Sequence, residues 1–194
     1  LAIDTATKYV YLSLVIDDRE VACVYQEGIN NHSVTVIPLL VELLEKQNLK
    51  LKDIDEIIVG VGPGSYTGVR IGVSIAKMIG FLNNVRITSV SSLALIASGA
   101  DNGYVVPLID ARRGNAFMAC FKLDEGKMTY VLEDTLANVD EFLSRIDGAY
   151  RINTEGPYDI EKILKSYLTS PVDDIHALVP NYLQVTEAEK NRCQ

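Results

Sequence analysis

The stretch VGPGSYTGVRIG, Val61 to Gly72, has the residue types that cradle phosphate: four glycines and a proline where a strand hands over to a helix. Glycine admits positive φ and close backbone approach, and the free N–H groups of a helix start welcome an anion. Both standard phosphate motifs nevertheless fail. A P-loop needs a lysine after its last glycine, and Gly68 is followed by Val69. A dinucleotide fingerprint needs its third glycine one place earlier and an acid about twenty residues on. Residues 85–88 hold no acid. Loop 61–68 therefore stands open between two readings. It is an anion cradle in which Gly62 and Gly64 meet the ligand, or a joint where strand and helix pack tightly.

The elements that must place this loop come in two copies. Residues 1–3, 9–16 and 20–25 read as strands, parted by turns at Asp4-Thr5-Ala6-Thr7 and Asp17-Asp18. From Val105 the same grammar returns, with a third strand over 127–133. Laid over each other without a gap, Ile3-Asp4 meets Ile109-Asp110, and Val10 meets Ala116. A repeated unit of this kind suggests a duplicated fold. After the first copy comes a helix over 34–48, with Val34, Ile37, Leu40, Val41 and Leu44 on one face. A strand at 54–61, a helix at 67–82, a strand at 85–88 and a helix at 92–98 follow. After the second copy come a helix at 139–146 with Asn138 as its N-cap, a strand at 150–153 and a helix at 160–168. Each half reads as a ribonuclease-H-like α/β lobe, 1–100 and 101–194. Together they give the actin-like ATPase, sugar kinase and Hsp70 (ASKHA) architecture, with the second lobe reduced and ending in a tail.

The helix at 67–82 is apolar nearly all round, broken only by Arg70, Ser74 and Lys77. A helix without a polar face is buried on more than one side. Gly72, Ala76 and Gly80 make a small-residue ridge where another backbone can come close. The expected contact surface for a second subunit is Val69, Gly72, Val73 and Ala76, continued by Lys77, Ile79 and Gly80. The alternative is a central helix buried wholly within this chain.

The 194 residues carry a net charge of −8, with 48% hydrophobic and 23% charged residues. An acidic chain does not draw nucleic acid by its overall field. No apolar run reaches the length that spans a bilayer. The opening residues lack a basic, apolar leader, which predicts a cytoplasmic chain. Cys23, Cys120 and Cys193 share no metal-type spacing, and the first two, in apolar strand-like stretches, are expected as buried reduced thiols.

Several stretches together resemble the TsaB family, also called YeaZ: LAIDTAT at the start, HSVTVIPLL from His32, GVGPGSYTGVRIG, VSSLALIA from Val90, PLIDARRGNAFMACF from Pro107 and HALVPNYLQVTEAE from His176. The resemblance covers nearly the whole chain in order, most specifically at GPGSYTGVRIG and DARRGNAF, and weakly between Tyr150 and Asp174. It implies a role in making threonylcarbamoyladenosine, the modified adenosine beside the tRNA anticodon. In that family the paralogue TsaD transfers the group. TsaB is its non-catalytic partner, the ATPase TsaE joins the complex, and TsaB also self-pairs through its first lobe. tRNA would be contacted mainly through partners, with no membrane involved.

The residues bear on that implication. TsaD-like relatives hold a metal with an H-x-x-x-H pair on the first helix of the first lobe, since two histidines four apart share a face. Here His32 is present but Val36 stands where the second would be, so no metal is expected, and His32 is expected to hydrogen-bond near the helix start. Actin-like ATPases use two phosphate clamps. Asp4 and Thr5 belong to the first. The second reads Asp110-Ala111-Arg112-Arg113-Gly114, where two bulky arginines replace bare backbone and would grip an anion or a partner carboxylate instead. Residues 171–180 are too short for an adenosine-binding glycine loop. These contacts are therefore expected to be vestigial. No cofactor is expected on the isolated chain, with ATP or ADP left open at a subunit interface. The alternatives are a glycoprotease-like metallo-endopeptidase, which needs a metal set, and an actin-like ATP-binding protein, which needs two intact clamps.

Overall fold

A computed structural model of the chain describes residues 1–28 and 32–183. Cys193 and the charged tail at 187–192 lie outside the described residues. β1 (Ala2–Asp4), β2 (Tyr9–Ile16) and β3 (Arg19–Glu27) form an antiparallel meander. Their β-branched and aromatic residues favour the pleated backbone. α1 (His32–Lys46) follows, then β4 (Glu56–Gly60), α2 (Tyr66–Asn83), β5 (Arg86–Val90) and α3 (Ser92–Ser98). The second half repeats this with β6 (Gly103–Asp110), β7 (Asn115–Asp124) and β8 (Lys127–Asn138), then α4 (Val139–Leu143), β9 (Tyr150–Asn153) and α5 (Ile160–Lys165). β10 (Thr169–Pro171) ends the series.

The strands make two sheets, ordered β10-β5-β4-β1-β2-β3 and β8-β7-β6-β9. β1, β4 and β5 are parallel, as is the pair β6 and β9. The order of the first sheet from β3 to β4 recurs in the second from β8 to β9. Among the described residues the second sheet has no counterpart of β5, which is the expected reduction of the second lobe. The division at residue 100 is crossed by the chain, however, because β10 returns to pair with β5 in the first sheet. The TSP sequence of β10 carries no strand signal of its own.

Burial sorts the molecule into layers. One face of the first sheet packs Ile3, Val10, Leu12 and Val59 against Val36 and Leu40 of α1 and Val73 and Ile79 of α2. The other face packs Tyr11 and Ile58 against α3 and α5, which also meet Val105, Phe117 and Phe121 of the second sheet. α3 is buried at all seven positions. The far face of the second sheet closes on Phe142 of α4. Each fully buried Leu, Ile or Phe stabilises the fold by about 1.5–3 kcal/mol.

Three expectations change here. The third strand of the second copy runs to Asn138 rather than residue 133, because Glu133 and Asp134 fall at a bulge opposite Met118–Cys120 rather than in a turn, and pairing with β7 resumes at Thr135. Cys120 is buried, but Cys23 is exposed, on the edge strand β3. Its thiol is still pushed up to about 11, by partial burial and by the Glu20 carboxylate. Finally, the gapless overlay slips by one residue in the first strand. Asp4 pairs with Tyr11 on the face turned toward α3 and α5, whereas the pair facing that layer in the second sheet is Ile109 and Phe117. Asp110 stands one residue further on and is exposed.

Candidate functional site

The glycine loop packs against the β1–β2 turn. Thr5 Oγ1 donates to Gly68 O at 2.7 Å and accepts from Gly72 N at 3.1 Å. Ser65 N donates to Ala6 O at 2.7 Å. A Cβ on Gly64 would strike Ala6 O, one on Gly68 would strike Thr5 O, and one on Gly72 would strike Thr5 Oγ1. Three of the four glycines thus exist so that α2 can lie on residues 5 and 6. Gly62, at φ 93°, turns the loop, donates to Ser92 Oγ at 3.1 Å and offers its carbonyl to Ser92 N at 2.9 Å. Ser65 caps α2 by accepting from Gly68 N at 3.2 Å. The joint reading of loop 61–68 therefore describes its geometry. Thr5 and Ala6 already take up its inward polar groups.

A cleft of about 840 Å³ opens beside this joint, where the C-terminal end of β1 meets the second lobe. Open α/β sheets place their ligands at such strand ends. Its charged lining is sparse: Lys8 from the first turn, and Asp110 and Glu155 from the second lobe. Lys8 Nζ is paired with Glu155 at 2.9 Å, and Tyr9 Oη donates to the same carboxylate at 2.9 Å. The charged lining thus has two acids to one lysine, and that lysine is already paired. Asp4 is 1% exposed and does not line the cleft. Burial pushes its carboxyl up to about 6, against the pull of the Ser92 hydroxyl at 2.6 Å. Thr5 is wholly buried and committed to α2.

The second clamp is a hairpin tip. Arg112 and Arg113 sit at φ 70° and 56°, and Arg112 N donates to Asp110 Oδ1 at 2.8 Å. Both arginines are exposed, and among the described residues neither guanidinium forms an ion pair. The structure thus brings Asp4 and Thr5 together with Gly62 and Gly64, and keeps Arg112 and Arg113 apart from them. His32 opens α1 with Nε2 at 2.9 Å from Thr7 O. Val36, one turn on, is a fully buried core residue. Among the described residues no group of three His, Cys, Asp or Glu could hold a metal ion.

The small-residue ridge faces inward, which corrects the expected contact surface. Val69, Gly72, Val73, Ala76, Ile79 and Gly80 are all buried within the chain. A Cβ on Gly80 would meet Ile87 Cδ1 of β5 at 2.7 Å. Lys77 is also engaged, donating to His176 O and Leu178 O at 2.9 Å each. The physical reason is that α2 must approach the sheet closely along its whole length, and small residues permit that.

What α2 leaves outside is Tyr66, Thr67, Arg70, Ser74, Met78, Phe81, Leu82 and Asn83, with Met78 at 48% exposure. α1 beside it exposes Val34 at 64%, Ile37 at 36% and Val41 at 46%. Between the two helices runs a groove of about 420 Å³ lined by Ser33, Ile37, Tyr66, Thr67, Arg70 and Ile71, among others. Val34, Ile37 and Val41 share the apolar helical face read from the sequence, on which Leu40 and Leu44 are the buried members. Large apolar side chains standing in solvent on two neighbouring helices are a candidate interaction face. Among the described residues no helix is long and apolar enough to cross a membrane.

These features define a two-lobed ASKHA-type α/β protein whose β1–β2 turn is taken up by its own glycine loop and whose outer helical layer exposes several large apolar side chains. A family model described as "TsaD: tRNA N6-adenosine threonylcarbamoyltransferase" matches residues 23–189, and the chain belongs to that family. Within it the chain groups with the TsaB (YeaZ) proteins. The protein "tRNA threonylcarbamoyladenosine biosynthesis protein TsaB" of Bacillus subtilis is 29% identical over 97% of this chain and 95% of its own length. The protein of the same name in Escherichia coli is 36% identical over 64% of this chain and 55% of its own. Among solved structures, "YeaZ from Pseudomonas aeruginosa" superposes with a TM-score of 0.77 at 22% identity, over 94% of this chain and 98% of that one. A second structure, of a protein from that organism "with similarity to peptidase YEAZ", gives 0.79 at 21%, with the same coverage. The last two establish the fold.

Proposed function

We propose that this protein works in tRNA threonylcarbamoyladenosine synthesis as a non-catalytic partner subunit, holding a TsaD homologue through the outer face of α1 and α2. The observation that carries the reading is that apolar face, with Val34, Ile37, Val41 and Met78 standing in solvent on two adjacent helices. The name of the relatives supplies the pathway. The cleft agrees with an accessory role: its one lysine is paired within the chain, and Val36 fills the place of a metal-binding histidine. The isolated chain is read as holding no nucleotide; ATP or ADP would bind only where a partner completes the cleft. In the absence of TsaD the same face pairs two copies of the chain. A TsaE homologue joins the larger complex in the cytoplasm. The net charge of −8 leaves tRNA binding chiefly to the partners.

Calorimetric titration of the protein into its TsaD homologue tests this. An Ile37→Glu/Val41→Glu variant is expected to lose at least about tenfold in affinity while keeping its melting temperature, because exposed positions tolerate charge in the monomer but not in a buried interface. Unchanged affinity would move the contact elsewhere and remove the support for this reading.

A further inference from the structure

Ser91 and Ser92 stand at the start of α3, the helix held between the two sheets. Their hydroxyls point to opposite lobes. Ser92 Oγ donates to Asp4 Oδ1 at 2.6 Å, at the end of β1 in the first sheet. Ser91 Oγ donates to Asp134 Oδ2 at 2.6 Å, on β8 in the second. The same oxygens accept main-chain N–H groups. Gly62 N gives to Ser92, and Leu93 N and Ala94 N give to Ser91, at 3.1, 3.1 and 3.4 Å. Two adjacent hydroxyls therefore tie both sheets, the glycine loop and the first turn of α3.

Neither carboxyl forms an ion pair among the described residues. Asp4 Oδ2 is buried without a hydrogen-bond partner. The groups facing Asp4 are Ser92, the main-chain N–H groups of Thr5 and Ala6, Tyr11 across the ladder, His32 of α1, Tyr25 of β3 and Tyr158 ahead of α5. Those facing Asp134 are Ser91, Tyr130, whose Oη donates at 3.4 Å, and the like charge of Glu133.

We propose that this serine pair is a proton-linked joint between the lobes, tight when Asp4 and Asp134 are protonated and looser when they are ionised. An ionised carboxylate without an ion-pair partner is better solvated by water than by this interior. Ionisation therefore favours any excursion that parts α3 from either acid and admits water. Burial pushes both carboxyls up to about 6, with the serine hydroxyls pulling the other way. The closed joint thus holds its protons more firmly than the opened one. Its stability is full below the ordinary carboxylate value, falls as pH rises from there through about 6, and is level above. At neutral pH the lobes are held by bonds that carry a solvation cost, so movement about α3 is easiest there.

Amide hydrogen exchange on the intact protein at about pH 5 and about pH 7.5, corrected for intrinsic rates, tests the joint. The opening constant of the Leu95, Ile96 and Ala97 amides is expected to rise about tenfold per hydrated carboxyl between those values. The Cys120 and Phe121 amides of β7 should hold. An Asp4→Asn/Asp134→Asn variant, whose carbonyls still accept from both serines, should lose the pH dependence. Equal protection of α3 at the two pH values in the unaltered protein overturns the proposal. So does a rise shared equally by β7, which would be global unfolding, or a dependence that survives in the double variant.

Discussion

Thr5 settles what the glycines are for. Its hydroxyl bonds both Gly68 and Gly72, and its carbonyl lies where a Gly68 Cβ would go. Gly68→Ala is expected to cost about 2–3 kcal/mol in denaturant unfolding, since main chain cannot yield as a side chain can. A cost near zero would mean that α2 and the β1–β2 turn are not this close. The glycine spacing was legible in the sequence; its cause was not, because the atoms it accommodates come from residues 5 and 6, more than fifty places away. Asp4 gives a second expectation. Its carboxyl rises from 3.8 to about 6 on folding, so it contributes stability that is present below the lower value and lost as pH climbs through the higher. That difference of about two units corresponds to roughly 3 kcal/mol. Asp4→Asn should flatten the fall in stability between about pH 4 and pH 6.5, measured by urea unfolding across that range. An unchanged slope would show that Asp4 is solvated in the folded protein.

At the scale of elements, α1 and α2 were read from their periodicity to within two residues, and their faces were not. The run Gly72, Ala76, Gly80 has the spacing of a helix–helix contact, yet it lies on the sheet, with Gly80 against Ile87 and Gly72 against Thr5. A small-residue ridge says only that some backbone comes near. Which backbone it is depends on where β1, β4 and β5 lie, and that is long-range information. α1 shows the reverse, since Val34, Ile37 and Val41 share a helical face with the core residues Leu40 and Leu44 but stand in solvent. Substitution separates the two faces. Ala76→Arg is expected to unfold the protein outright, because it places a charge in a site of 0% exposure. Met78→Arg should leave the melting temperature within about 2–4 °C while weakening subunit association, seen in sedimentation of the isolated protein. Loss of the fold in both, or in neither, would contradict the assignment of faces.

Across the whole molecule, the duplicated meander made the two-lobed architecture legible before any contact was known, while the crossing between lobes was hidden. β10 is three residues long and pairs only through backbone, and α5 is buried by residues from both sheets. A fragment of residues 1–100 should therefore fail to fold cooperatively, since it strips β10 from the outer edge of β5 and leaves the α3 surface bare; a sharp thermal transition from that fragment would show that the first lobe is autonomous. The protein is proposed to support tRNA modification by docking through the outer face of α1 and α2. The most direct test is threonylcarbamoyladenosine formation on unmodified tRNA in a purified mixture. The mixture contains TsaD, TsaE, the threonylcarbamoyl-AMP synthase, ATP, threonine and bicarbonate. Product is predicted to form with the unaltered protein and to fall to the level without it when the folded Ile37→Glu/Val41→Glu variant is supplied. Full product with that variant, or with no protein added, would contradict the claim.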